Sequence, residues 1–161
     1  MENHDSRKRF AARLALLLAG LAVMSFGVAL SIKAELGTSP ISSVPYVSGL
    51  ISGLSVGTTT IVVNSLFVLA QIVMLRAHYD WCQLLQIPVA VAFGLMIDVF
   101  SLLMEDIAMS GYIQQWLFCA AGIIFVALGV SMEVTAGLVT TAGEGLVLAI
   151  CQVTPFEFGN V

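Results

Sequence analysis

The residues with the most chemistry to offer lie in two polar breaks between apolar runs. The first, "LGTSPISS" (36–43), holds Gly37, Thr38, Ser39, Pro40, Ser42 and Ser43. Gly37 frees the backbone, Pro40 interrupts a helix, and the hydroxyls both donate and accept hydrogen bonds. A helix beginning near Ser42 would aim its first N–H groups into the break, which suits an anion or a substrate carboxylate. The same residues would also build an interfacial loop with a capping serine. The second break, "LVTTAGEG" (138–145), repeats this chemistry with Thr140, Thr141, Gly143, Glu144 and Gly145.

A second group of polar residues sits inside or at the ends of apolar runs. Asp98 lies in "FGLMIDVFSLL". A charge at the bilayer centre costs about 3 kcal/mol, so its side chain should face protein. It would carry a proton or cation, pair with Lys33, or hold a neighbouring helix by hydrogen bonds. Lys33 and Glu35 end the first apolar run, either snorkelling to the headgroups or lining a cavity mouth. Asn64 and Gln71 share a helix face two turns apart and suit helix–helix hydrogen bonding.

Enzymatic chemistry has no comparable support. His4 and His78 lie in polar ends, and no HExxH, GxSxG or P-loop pattern occurs. Cys82, Cys119 and Cys151 are too widely spaced for a metal motif or a disulfide framework. A non-enzymatic protein without cofactor or metal is expected. Nucleic acid is excluded as a partner, because past Lys33 the one basic residue is Arg76.

The elements that position these residues follow from composition. Of 161 residues 59% are hydrophobic and 10% charged, and mean hydropathy is +1.01. A soluble domain carries about 25% charged residues, and a chain this short cannot bury so much apolar surface in one core. Lipid is therefore the solvent. Apolar runs cover Leu14–Ile32, Ile41–Leu54, Thr58–Leu75, Leu84–Met104, Trp116–Met132 and Leu146–Val153. The first, third, fourth and fifth are long enough to span. Period-2 alternation is absent, so the fold class is all-α, a polytopic helical membrane protein.

An internal repeat appears on a shift of 102 residues. "AGLAVMSFGVALSIKAELGTS" (19–39) then overlies "AGIIFVALGVSMEVTAGLVTT" (121–141), matching Gly20 to Gly122, Gly27 to Gly129 and Thr38 to Thr140. The 161 residues thus read as one transmembrane domain. Copy one covers about 12–75, a linking helix about 82–104, and an incomplete copy two about 114–161. Copy two stops opposite Thr59, before a third-run counterpart. A longer natural protein, or a helix supplied by a partner, is therefore expected. The seven-residue glycine spacing in both copies predicts close helix packing.

Charge placement sets the expected topology. Arg7, Lys8, Arg9 and Arg13 precede the first apolar run and mark a cytoplasmic N-terminus. If 37–56 enters the membrane and returns, Arg76 is cytoplasmic and "MEDIAMSG" (104–111) external. The two copies then run in opposite senses, as in inverted-repeat transporters with broken or re-entrant helices.

"LGTSPISSVPYVSG", "GLSVGTTTIVVN", "LLQIPVAVAFGLMIDV" and "GVSMEVTAGLVTTAGEGLVLAI" resemble segments of the bacterial YczE/YyaS/YitT-type integral membrane proteins, over nearly the whole chain. The resemblance implies a multi-pass bacterial plasma-membrane protein of permease type and supplies no catalytic residues. Members are typically somewhat longer than this chain. The leading expectation is a small-solute transporter with a central site at the paired breaks; the alternative is a non-transporting sensor or accessory subunit. Expected partners are the lipid bilayer and an unidentified small solute, anionic if the helix starts select it. A homo-oligomer is left open.

Overall fold

The computed structural model describes residues 2–76, 81–139 and 141–153. Among them the chain forms six α-helices and no strand: α1 Glu2–Lys33, α2 Pro40–Ser52, α3 Val56–Leu75, α4 Gln86–Leu103, α5 Tyr112–Ala136 and α6 Ala142–Val153. A 3₁₀ turn, Trp81–Leu85, leads into α4.

Among the described residues four stretches are long and apolar enough to cross a bilayer: Arg9–Lys33, Val56–Leu75, Gln83–Leu103 and Tyr112–Ala136. They coincide with the runs expected to span. α2 has 13 residues, about 20 Å at ~1.5 Å per residue, short of a ~30 Å hydrocarbon core.

α1 is the central helix. Of its spanning window 56% is buried, against 28%, 22% and 17% for the other three. Exposed Leu, Ile and Val side chains on the outer helices, among them Leu66, Leu102, Leu117 and Ile123, therefore face lipid. α1 packs most extensively on α5 and also on α4. Beside α4 it is parallel: Ser25 donates to the Phe93 carbonyl at 3.3 Å, and Lys33 Nζ donates to the Glu105 carbonyl at 3.1 Å. Phe26 meets Phe100 and Phe125 edge-on, at 5.4 and 5.1 Å.

Beside α5, α1 is antiparallel and almost backbone to backbone. A Cβ on Gly20 would lie 3.0 Å from the Gly129 carbonyl, and one on Gly27 would lie 2.8 Å from that of Gly122. Reciprocally, Gly129 abuts Met24, and Gly27 abuts Val126. All four glycines are buried. The seven-residue spacing aligns each pair on one face, so the interface needs glycine on both sides at both levels.

α3 and α4 are joined by a similar contact. A Cβ on Gly94 would meet the Gly57 carbonyl at 2.6 Å. α2 folds against α3, where Thr59 Oγ1 donates to the Pro45 carbonyl at 2.7 Å. The αL residue Gly53 (φ 71) ends α2 and returns its N–H to Gly49, so the chain reverses within three residues before the cap Ser55 starts α3.

Candidate functional site

Segment 34–39 turns back from the end of α1. Glu35 adopts φ 56 and Gly37 φ 118, and Ser39 caps α2 by accepting from Ser42 N–H at 3.3 Å. This reversal brings Ser39 and Ser42 alongside Met24 and Val28, in the middle of α1, on one cavity. α5 ends comparably, at the αL residue Gly137 (φ 58). The start of α6, Thr141 to Gly143, lines the same cavity beside Val126 and Val130.

The cavity measures about 130 Å³. Helix starts form one part of its wall, with Ser39, Ile41 and Ser42 from α2 and Thr141, Ala142 and Gly143 from α6. α3 contributes Thr60, Asn64 and Phe67, α4 contributes Gln86, Phe93 and Ile97, and the rest is aliphatic. No lining residue among those described carries a charge. Pro45, also in the wall, has no N–H to return to the Ile41 carbonyl. Thr60 is satisfied by the Val56 carbonyl at 2.7 Å.

Electrostatics are balanced between two opposing terms. A helix start favours an anion by roughly 0.3–1 kcal/mol, and the first turn of α2 is already partly satisfied by Ser39. Taking an ionised carboxylate out of water costs several kcal/mol unless a counter-charge meets it. The described walls offer none.

The site residues expected from sequence thus divide into groups. Ser39, Ser42, Thr141, Gly143 and Asn64 come together on the cavity. Gly37 and Pro40 shape the turn and helix start; both are exposed. Thr38 is half-buried, and Ser43 donates to the Pro40 carbonyl at 2.7 Å. Thr140 and the Glu144 side chain lie outside the described residues. Lys33 holds the Glu105 carbonyl, and Glu35 is exposed. Asp98 does not line the cavity and does not meet Lys33. Its carboxylate accepts from Ser55 Oγ and from Gly57 N–H, each at 2.7 Å, and so caps α3.

A buried amide pair supports the wall. Gln71 is 0% and Gln86 2% exposed. Gln71 Nε2 donates to Gln86 Oε1 at 3.2 Å and to the Ala142 carbonyl at 2.9 Å. A Cβ on Gly145 would come within 2.9 Å of both amides, so glycine lets α6 rest on them. Sequence reasoning gave Gln71 a helix-bonding role but missed Gln86. The available signal was a lone amide opening a long apolar run. It also missed Met24, Val28, Val126 and Val130 as lining residues, although the repeat shift pairs them.

Comparison with known proteins places this architecture. A family model described as a family of unknown function (DUF6198) matches residues 11–161. The chain belongs to this family. A curated relative, the "Uncharacterized membrane protein YczE" of Bacillus subtilis (strain 168), is 28% identical over 149 residues, covering 92% of this chain and 67% of the relative. Together they bear out the YczE-type resemblance. No solved structure matches the chain. As a member of the family, the chain is a membrane protein, with four candidate spans among the described residues.

Proposed function

We propose that the chain is a small-solute permease of the bacterial plasma membrane, built on an inverted repeat, with its site in the cavity between the two half-helices. One observation carries this reading. Residues lining the cavity come in pairs related by the repeat shift: Met24 with Val126, Val28 with Val130, Ser39 with Thr141, and Ile41 with Gly143. Random placement would not put both members of four pairs on one small cavity. It is the expected location for a pseudo-two-fold axis, where inverted-repeat transporters bind substrate.

The helix directions support the inverted sense. The contacts of Gly20 with Gly129 and of Gly27 with Gly122 are reciprocal, as in a two-fold interface. If α2 crossed the membrane, α1 and α5 would be separated by an even number of reversals and would run parallel. With α2 and its preceding segment re-entrant, they run antiparallel, as their contacts do. The N-terminal arginines favour a cytoplasmic start. Segment 34–39 then enters from the periplasmic side, and the start of α6 is reached from the cytoplasmic side.

Alternating access follows. Each break forms one gate, and the glycine-lined α1–α5 contact is the surface about which the halves rock. Test it with a membrane-impermeant thiol reagent on Ser42→Cys and Gly143→Cys, each in a background with the three native cysteines replaced. The permease reading expects Ser42→Cys to react from the periplasmic side and Gly143→Cys from the cytoplasmic side. A non-transporting sensor or subunit would show both positions closed, or open to one side only; that pattern would reject the permease.

A further inference from the structure

We propose that the cavity selects an uncharged solute of about six heavy atoms, with a hydrogen-bonding head and an apolar body, and that Asn64 reads the head. A small carboxamide is the simplest member of this class. The proposal rests on the permease reading and names its substrate class; it departs from the anion that the helix starts alone would suggest.

Size comes first. An apolar cavity of about 150 Å³ accepts benzene, and this one measures about 130 Å³. It therefore admits a body of similar bulk.

Charge comes next. Among the described lining residues there is no lysine, arginine, histidine, aspartate or glutamate. An ion of either sign would lose its hydration without a partner in the described wall. A neutral solute loses far less.

The polar groups then define the head. Asn64 lines the cavity and is half-buried. Unlike Ser39, Ser42 and Thr60 of the same wall, its amide makes no hydrogen bond to a described residue. It therefore presents two donors and an acceptor. An amide that both donates and accepts complements a carboxamide, which does the same, whereas a carboxylate only accepts and would leave the Asn64 carbonyl unmet. The apolar lining, with Met24, Val28, Phe67, Phe93 and Val126, fits the apolar body.

The test uses the full chain in lipid nanodiscs and ligand-observed NMR titration with three probes: isobutyramide, its isostere isobutyrate, and benzene. Isobutyramide is expected to bind at least about tenfold more tightly than isobutyrate. Asn64→Leu, close to isosteric but without the amide, is expected to weaken isobutyramide about tenfold while leaving benzene within about twofold. Retained benzene binding shows that the cavity still forms. If Asn64→Leu loses benzene as well, Asn64→Ala, which only enlarges the space, decides by the same comparison. Isobutyrate binding as tightly as isobutyramide would overturn the neutral-solute proposal and leave the permease standing. Equal isobutyramide affinity with and without the Asn64 amide would overturn the role of Asn64, and the proposal with it. Failure of all three probes, benzene included, would overturn both this proposal and the cavity as a solute site.

Discussion

The Asp98 carboxylate and the Gly57 N–H meet at 2.7 Å, across the α3–α4 contact. With Ser55 Oγ at the same distance, this accounts for the one acidic residue embedded in the fourth apolar run. A carboxylate that accepts hydrogen bonds from the N-terminus of a neighbouring helix is stabilised by that helix's dipole. It also supplies donors with a partner that lipid cannot. Asp98→Ala should leave Gly57 N–H without its acceptor, at about 1–3 kcal/mol. In detergent this should lower the melting temperature by roughly 2–12 °C. Asp98→Asn keeps an acceptor for Gly57 and should lose less. Thermal unfolding of both variants checks the order; an Asp98→Asn protein with native stability but no transport would instead make Asp98 a coupling residue.

The glycine contacts predict a ranking. A methyl on Gly27 would sit 2.7–2.9 Å from Val126 and Gly122 backbone or side-chain atoms, whereas one on Gly20 would sit at 3.0–3.2 Å. Gly27→Ala should therefore destabilise more than Gly20→Ala, by about 1–3 kcal/mol for an overpacked site. Gly111→Ala meets nothing within 4 Å and has extended backbone (φ −175), so it should lose no more than the roughly 0.5–1 kcal/mol of a poorer N-cap. Melting temperatures of the three variants would show the order, and equal losses at Gly20, Gly27 and Gly111 would refute the packing.

The Gln71 clamp predicts a local effect. Removing its amide with Gln71→Leu breaks the bond to the Ala142 carbonyl and leaves Gln86 with one partner fewer. α6 should then separate more often from α3. Cys151, half-buried on α6, should react with maleimide severalfold faster than in the wild type, once Cys82 and Cys119 are replaced. An unchanged rate would mean that other contacts hold α6.

The re-entrant topology predicts sidedness. Ser110→Cys, in the α4–α5 connection, should be labelled by an impermeant reagent on intact cells. Labelling confined to permeabilised cells would instead favour a fully spanning α2.

Much of the architecture was legible in the chain. Runs such as Leu14–Ile32 announced helices because a spanning segment must satisfy its own backbone. Gly37 and Pro40 announced a break because few other residues tolerate that geometry. A helix start near Ser42 with a capping serine was legible, though the helix starts at Pro40, with Ser39 as its cap. What no local pattern could give was where Asp98 points. It lies on a helix whose neighbours are fixed only by packing, and its partner Gly57 is 41 residues away in the chain.

Sequence alone therefore determined the solvent, the helices and the two polar breaks, because these depend on each segment's own hydropathy and backbone freedom. Tertiary structure decided which polar groups share a space. Antiparallel packing of α1 on α5 brings the starts of α2 and α6 to one cavity whose described lining carries no charge, while Lys33 reaches the Glu105 carbonyl and Asp98 caps α3. The glycines decide this: with no Cβ at Gly27 and Gly122 the backbones close to contact, and that approach fixes the position of everything attached to them.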